Sequence, residues 1–329
     1  MPTSHAKLSA TSEPAAPTRA AHAGDYLQIA RLDHWFKNIL VLPGTFAAAL
    51  LLGVPFASYA TDLLLGLASI CLVASANYVL NEWLDAEFDR FHPIKQHRPS
   101  VVVGLDRRIV WSEYAVLSVV GLGLGLWASV PVALMSLLLW LEGVAYNVQP
   151  LRTKDRVYLD VLSESVNNPI RLALGWYVVV EAPVPPISLI LGYWMLGAFL
   201  MAMKRFAELR FIGSPDQAGR YRRSFRFYTE ERLLISSMLY AFGSALFLAV
   251  FMLKYRIELL LTVPFLAVAF AWYLQIAMKP ASAAQTPEAL YREHGFAAYL
   301  GVVALLMWLA FVVDVPLLET LLEPAAVQR

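Results

Sequence analysis

Residues 77–100 read NYVLNEWLDAEFDRFHPIKQHRPS. A long apolar run ends here. Within a dozen residues the chain sets down Asn81, Glu82, Asp85, Glu87 and Asp89, followed by the basic residues Arg90, His92, Lys95, His97 and Arg98. On a helix Asn81, Asp85 and Asp89 stand at i, i+4 and i+8 and project from one face within about 80°, while Glu82 and Glu87 point elsewhere. The ordinary reading of a charge run is a solvated helix end. Charge beside a bilayer is expensive, however, and three oxygen-bearing side chains on one face suit a hard cation that bridges to phosphate oxygens. The face is therefore read as a site, with Asn81, Asp85 and Asp89 as metal ligands and Mg2+ as the ion.

The rest of the chain explains why such a face lies at a membrane boundary. Of 329 residues, 59% are hydrophobic and 16% charged, and mean hydropathy is +0.57. Soluble domains are nearer half apolar and a quarter charged. Nine runs long enough to cross a bilayer are expected at 39–60, 62–84, 109–128, 130–148, 162–181, 186–205, 232–253, 257–278 and 296–320. The fold class is an all-α polytopic membrane bundle of nine transmembrane helices with a cytoplasmic cap. Residues 1–23 read as a flexible tail, 24–322 as a single membrane-embedded domain, and 323–329 as a short C-terminal tail.

Lys and Arg crowd the loops after the second, fourth, sixth and eighth spans and are absent after the first, third and fifth. By the positive-inside rule the N-terminus and the site are cytoplasmic, and the C-terminus lies across the plasma (inner) membrane. The loops at 85–108 and 204–231 are expected to form the cap. The lone Cys71 lies in an apolar run and reads as an inert thiol. Nucleic acid is excluded as a partner by so apolar a chain, membrane lipids are implied, and a homo-oligomer is left open.

A second constellation lies in residues 146–176. Asp160, Glu164, Asn167 and Arg171 fall at 0, +4, +7 and +11, within about 60° of one another on a helix. Such a face should meet a polar cavity rather than lipid, and Pro169 predicts a kink there. The competing expectation is a structural ion pair of Asp160 or Glu164 with Arg171. Just upstream, Lys154 is placed to hold a phosphate and Asp155 to orient it. Lys204 and Glu208 share a face at i, i+4, with Arg205 pointing away as a membrane anchor. The run Arg220, Arg222, Arg223 and Arg226 alternates with aromatics and suits anionic headgroups. Trp35, Lys37 and Asn38 stand before the first span, where Trp and Lys are also ordinary anchors.

The segment Asn81-Glu-Trp-Leu-Asp85-Ala-Glu-Phe-Asp89 resembles the first Asp-rich motif of the UbiA superfamily of intramembrane prenyltransferases, Asn-Asp-x-x-Asp-x-x-x-Asp. The resemblance extends over most of the chain, through the spans, the cap and the charged loops. It implies that Mg2+ on Asn81, Asp85 and Asp89 binds the diphosphate of a polyprenyl donor. Two positions depart from the pattern. Glu82 replaces an Asp, and Lys204-Arg-Phe-Ala-Glu208 stands where many members carry a second Asp-x-x-x-Asp, which argues against a second carboxylate-held metal. With Trp35-x-Lys37-Asn38 and DRFHPIKQHRPS, the chain is most similar to the decaprenyl-phosphate phosphoribosyltransferase branch.

The function read from this is a Mg2+-dependent membrane transferase that ionises a metal-bound diphosphate and acts on a polyprenyl (di)phosphate. Phosphoribosyl transfer to a polyprenyl phosphate and terpene cyclisation are the alternatives within the family. The alternative outside it is a transporter using the Asp160/Glu164/Arg171 face as a relay. Expected catalytic residues are Asp85, Asp89, Asp160, Lys154 and Arg171. Expected substrate-binding residues are Asn81, Lys37, Asn38, Arg90, His92, Lys95 and Arg98, together with Asp155, Glu164, Asn167, Lys204 and Glu208.

Overall fold

The computed structural model describes residues 19–280, 282–285, 290 and 292–322. The tail at 323–329 and residues 1–18 of the N-terminal tail lie outside the described residues. In chain order the helices are α1 (Ala23–Ile29), α2 (Leu42–Leu52), α3 (Ala60–Asp89), α4 (Pro99–Val102), α5 (Arg107–Ala128), α6 (Val130–Asn147), α7 (Leu159–Tyr177) and α8 (Ile187–Ile212). After these come α9 (Pro215–Tyr221), α10 (Glu230–Tyr255), α11 (Val263–Met278), α12 (His294–Val312) and α13 (Pro316–Leu322). Short 3-10 segments join several of them, the longest at Leu32–Val41. The sheet content among the described residues is one two-residue parallel pairing, Arg19 with Val103 and Ala20 with Gly104.

The expected all-α membrane bundle is present. Among the described residues, eight helical stretches are long and apolar enough to cross a membrane. The fifth expected span, 162–181, is α7, which carries Asp160, Glu164 and Arg171. It packs against α2, α6 and α8, so its neighbours rather than lipid receive its polar face. Outward residues such as Leu64, Val119, Trp127, Leu239 and Phe242 are largely exposed, as a lipid-facing surface requires.

Close packing on α7 depends on two glycines. A Cβ on Gly44 would stand 1.8 Å from the Leu172 carbonyl oxygen, and one on Gly175 would stand 1.9 Å from that of Val41. The backbones of α2 and α7 therefore touch, which fixes the register of the 3-10 segment below.

Several boundaries differ from expectation. The first span begins earlier, as one helical stretch from Ala23 to Leu52. The last breaks after Val312 ahead of Pro316, because proline brings no N–H to continue the ladder. Residues 204–212 belong to α8 rather than to the cap. No glycine or proline interrupts them until Gly213, which ends the helix at φ +70°.

Candidate active site

At 1.5 Å per residue α3 is about 45 Å long, more than a hydrocarbon core of about 30 Å. After Asp62 in its first turn the helix is mainly apolar as far as Leu80, and its last turns project beyond. Asn81, Asp85 and Asp89 sit on those last turns. Opposite them the loop after α6 makes a tight charged turn. Lys154 Nζ donates to Asp85 Oδ1 at 2.5 Å and to Asn147 Oδ1 at 2.7 Å. Arg152 reaches the same Asp85 oxygen at 2.9 Å and is braced by Asp155 at 3.1 Å. Asn81 donates to Asp85 Oδ2 at 3.1 Å and to Asn147 at 2.6 Å. Asp89 accepts from Arg98 at 2.5 Å. Glu82 turns away to Arg31 and Arg98, as its helix position predicted.

The second half of the site is organised by Arg205, 1% exposed. Its guanidinium donates to Asp160 at 3.3 Å, to Glu208 at 3.3 Å, to the Tyr146 hydroxyl at 3.2 Å and to Glu164. Asp160, fully buried, also accepts from Tyr228 at 2.6 Å and Ser224 at 3.1 Å. Glu164 accepts from Lys204 at 3.1 Å and Tyr146 at 2.7 Å. Glu208 accepts from Lys95 at 2.5 Å and Tyr221 at 3.0 Å, and Lys95 also donates to the Tyr221 hydroxyl. Arg222 donates to Tyr146 at 3.1 Å. The cap is thus clamped onto α7 and α8 by buried charge.

Burial sets the protonation behaviour of the loop residues. It pushes the Lys154 ammonium down to about 8, against the opposing pull of Asp85. Lys95 is lowered by burial, with Glu208 opposing. His92 is lowered by burial as well. Its Nδ1 accepts from the backbone N–H groups of Ile94 and Lys95 at 3.1 and 3.2 Å, which demands an unprotonated nitrogen there.

Most of the expected residues converge: Asn81, Asp85, Asp89, Lys154, Asp155, Glu164, Lys204, Glu208, His92, Lys95 and Arg98 all lie on the two networks. Lys37 adds positive charge beside Lys204. Three expectations are corrected. Arg171 does not pair with Asp160 or Glu164; it donates to Asn38 at 2.8 Å and to the Asn167 carbonyl at 3.2 Å, too far along α7 to reach the others. Asp160 faces the cap anchor and not a cavity, because Arg205, Ser224 and Tyr228 enclose it. Arg205 points into the protein instead of anchoring to headgroups. Lys204, on one face with Glu208, donates to Glu164. Arg90, expected to bind substrate, lines a cleft beside the carboxylate face.

Asn167 donates to its own helix at 3.0 Å. Beside it lies Glu142 of α6, with one buried carboxylate oxygen lacking a partner among the described residues. Sequence reasoning also missed Tyr146, Asn147, Arg152, Arg205, Tyr221 and Arg222 as site residues. Cys71 accepts from Asn38 at 3.1 Å, in keeping with an inert thiol.

The donor set decides whether a divalent cation fits. Among the described residues no three His, Cys, Asp or Glu side chains come together as a metal cage. Mg2+ does not need one, since it commonly takes one or two carboxylates and completes its shell with water and substrate phosphates. Asp85 and Asp89 on one face of α3 meet that requirement. Asn81 uses its amide nitrogen on Asp85 and Asn147, which leaves only its carbonyl oxygen for a cation. At the Glu208 end, as at Asp85, both carboxylate oxygens already accept from the chain's own donors: Lys95, Tyr221 and Arg205 hold Glu208, and Lys154, Arg152 and Asn81 hold Asp85.

Comparison with known proteins places this geometry. The profile of the UbiA prenyltransferase family matches residues 40–300. Decaprenyl-phosphate phosphoribosyltransferase of Mycolicibacterium smegmatis is 27% identical over 228 residues, covering 69% of each chain. The Mycobacterium tuberculosis H37Rv protein of the same name is 28% identical over 208 residues, 62% of this chain and 65% of its own. The structure of a UbiA homolog from Archaeoglobus fulgidus bound to GPP and Mg2+ aligns with a TM-score of 0.66 at 19% identity, over 88% of this chain and 100% of that one. With the aspartate face of α3, its charged cap and this match over most of its length, the chain belongs to the UbiA prenyltransferase family.

Proposed function

We infer that the protein is a Mg2+-dependent membrane transferase that moves a phosphoribosyl group from a diphosphate donor bound at Asp85 and Asp89 onto a polyprenyl phosphate. One observation carries the reading. The side of the site facing the aspartates is built on Lys95, Lys204, Arg205 and Arg222, which outnumber by one the acids Asp160, Glu164 and Glu208 set among them. A second substrate that is itself an anion suits such a wall. The phosphoribosyltransferase names of the relatives support the same choice.

Asp85 and Asp89 would hold the ion, which when bound neutralises charge on the leaving diphosphate. Lys154 and Arg152, already aimed at Asp85, meet the remaining negative charge as it grows. An oxygen of the acceptor phosphate forms a bond to the anomeric carbon. The bond from that carbon to the diphosphate oxygen breaks, and pyrophosphate leaves with the electron pair. The acceptor oxygen is already anionic, so no proton must be removed. This agrees with a site whose carboxylates are engaged with cations rather than free as bases. The polyprenyl chain lies among the apolar spans, with the site and the N-terminus on the cytoplasmic side, where the basic loops gather.

The test is incubation of detergent-purified protein with Mg2+, labelled phosphoribosyl diphosphate and decaprenyl phosphate. Labelled lipid and released pyrophosphate are expected. Turnover of labelled geranylgeranyl diphosphate, alone or with an aromatic acceptor, without any labelled lipid in the first tube would overturn the reading in favour of cyclisation or prenyl transfer.

A further inference from the structure

Next to the Asp85 network lies a cleft of about 360 Å3 that it does not use. Four arginines line it, Arg90, Arg220, Arg223 and Arg226, together with Phe88 at the end of α3 and Phe91 just beyond it. The cap builds this arrangement deliberately. In the 3-10 turn Arg223–Arg226, side chains at i and i+3 eclipse, so Arg223 and Arg226 leave on one side. The residues between and after them hold the turn from the other side: Ser224 bonds Asp160 at 3.1 Å, and Phe225 and Tyr228 are buried in the core. A Cβ on Gly219 would stand 2.8 Å from Arg226 Cγ. The glycine therefore lets Arg226 lie along the backbone and donate to the Gly219 carbonyl at 3.3 Å. Arg220 sits over the Phe91 ring at 5.8 Å.

Charge makes the cleft a site rather than a surface. Glu87 is the single carboxylate in its lining, and among the described residues Arg90 and Arg220 make no ion pair. Arg223 reaches Asp155 only at 3.9 Å. Four guanidinium groups around one space repel one another unless an anion joins them, and guanidinium forks match phosphate oxygens two at a time. The cleft also adjoins the donor site. Arg152, bonded to Asp85, stacks on Phe88 at 4.9 Å, and the Asp155 that braces it is the carboxylate nearest Arg223.

We propose that this arginine cleft binds the phosphate monoester at the far end of the sugar diphosphate donor, while the diphosphate lies at Asp85 and Asp89. This rests on the donor inferred above. A prenyl diphosphate has no group to place in the cleft, so the four arginines select the donor class. The same phosphate chemistry is offered by anionic lipid headgroups, and the test separates the two sources.

The variant is R220A/R226A, whose exposed side chains lie outside the Asp85 network. Ribose 5-phosphate binding is measured by calorimetry on lipid-free protein in neutral detergent, with pyrophosphate as a control ligand. Expected is a loss of ribose 5-phosphate affinity of about tenfold or more in R220A/R226A, with pyrophosphate affinity and thermal stability unchanged. In turnover the KM for phosphoribosyl diphosphate rises by a similar factor, while kcat and the KM for decaprenyl phosphate stay within about threefold. Ribose 5-phosphate affinity equal in wild type and variant, or no binding to either, overturns the proposal. So does unchanged sugar-phosphate binding together with lost binding to phosphatidylglycerol nanodiscs, which identifies a headgroup site. Because the binding arm needs no turnover, wild-type protein that binds ribose 5-phosphate through these arginines but transfers nothing refutes the donor assignment and leaves the phosphate site standing.

Discussion

Arg205→Met is the most incisive perturbation of this protein, because one guanidinium satisfies three acidic side chains at once. Removing one partner of a buried ion pair typically costs about 3–5 kcal/mol. The geometry decides where in that range the change falls. Without Arg205, Asp160 keeps Tyr228 and Ser224, Glu164 keeps Lys204 and Tyr146, and Glu208 keeps Lys95 and Tyr221. No carboxylate is stripped bare, so the loss belongs near the lower end, about 3 kcal/mol. In a chain of 329 residues that is a fall in Tm of roughly 4 °C. Arg205→Lys keeps the charge, yet an ammonium cannot serve three separate carboxylates in the way the guanidinium fork does; about half the loss is expected.

The assay is thermal unfolding in detergent, followed by tryptophan fluorescence, beside a double-mutant cycle of Arg205→Met with Asp160→Asn. Neutralising Asp160 should recover part of the loss, since one buried charge then no longer needs its partner. A Tm for Arg205→Met within about 1 °C of wild type, or purely additive losses in the cycle, would refute the view that Arg205 holds the cap by buried charge.

Asp85→Asn and Asp89→Asn should each lower kcat by about a hundredfold or more, with a smaller fall in Tm for Asp89→Asn, where Arg98 keeps Glu82, than for Asp85→Asn, where the buried Lys154 loses its carboxylate; wild-type turnover with saturating Mg2+ in either variant would count against the aspartate site. His92 has a folded pKa below its unfolded value, so the unfolded chain takes up a proton first as the solution is acidified. Its contribution to stability is complete above about pH 6.5 and is lost as pH falls through the lower folded value. His92→Asn, which retains an acceptor for the Ile94 and Lys95 N–H groups, should flatten the Tm-versus-pH curve in that window, and an unchanged curve would exclude His92 as its source. Gly175→Ala forces the new methyl against the Val41 carbonyl and should destabilise by about 3 kcal/mol. Gly123→Ala, which meets nothing within 4 Å, should be neutral or stabilising by up to about 1 kcal/mol; equal Tm values for the two would contradict the close approach of α2 and α7.

The two halves of the site differed in how far they could be read from sequence, and the reason is the span of their contacts. Asn81, Asp85 and Asp89 share one helix, so helical spacing alone puts them on a face, and the structure keeps them there. Glu82 is excluded from that face by the same geometry. The cationic half is assembled from residues far apart in the chain: Lys95 meets Glu208 across 113 positions, and Arg205 meets Asp160 across 45. No local period records such a pairing. Spacing on α7 correctly placed Asp160, Glu164 and Arg171 on related positions, but it gave no account of what stood opposite. Arg205 took the two acids, and Asn38 took the arginine.

The same limit explains the arginine run at 220–226. Alternation with aromatics suggested a headgroup-facing surface, and exposed side chains at 220, 223 and 226 fit that pattern in outline. Arg222, however, turns inward to Tyr146, because Tyr221, Ser224 and Phe225 pin the backbone on either side. The buried members of the run fix the geometry of its exposed members. A segment held this rigidly offers a preorganised phosphate site, whereas a loose basic loop offers only charge. That difference gives the calorimetric comparison its force. A preorganised cleft should discriminate a sugar monophosphate from pyrophosphate, and a diffuse basic surface should bind the more highly charged anion better.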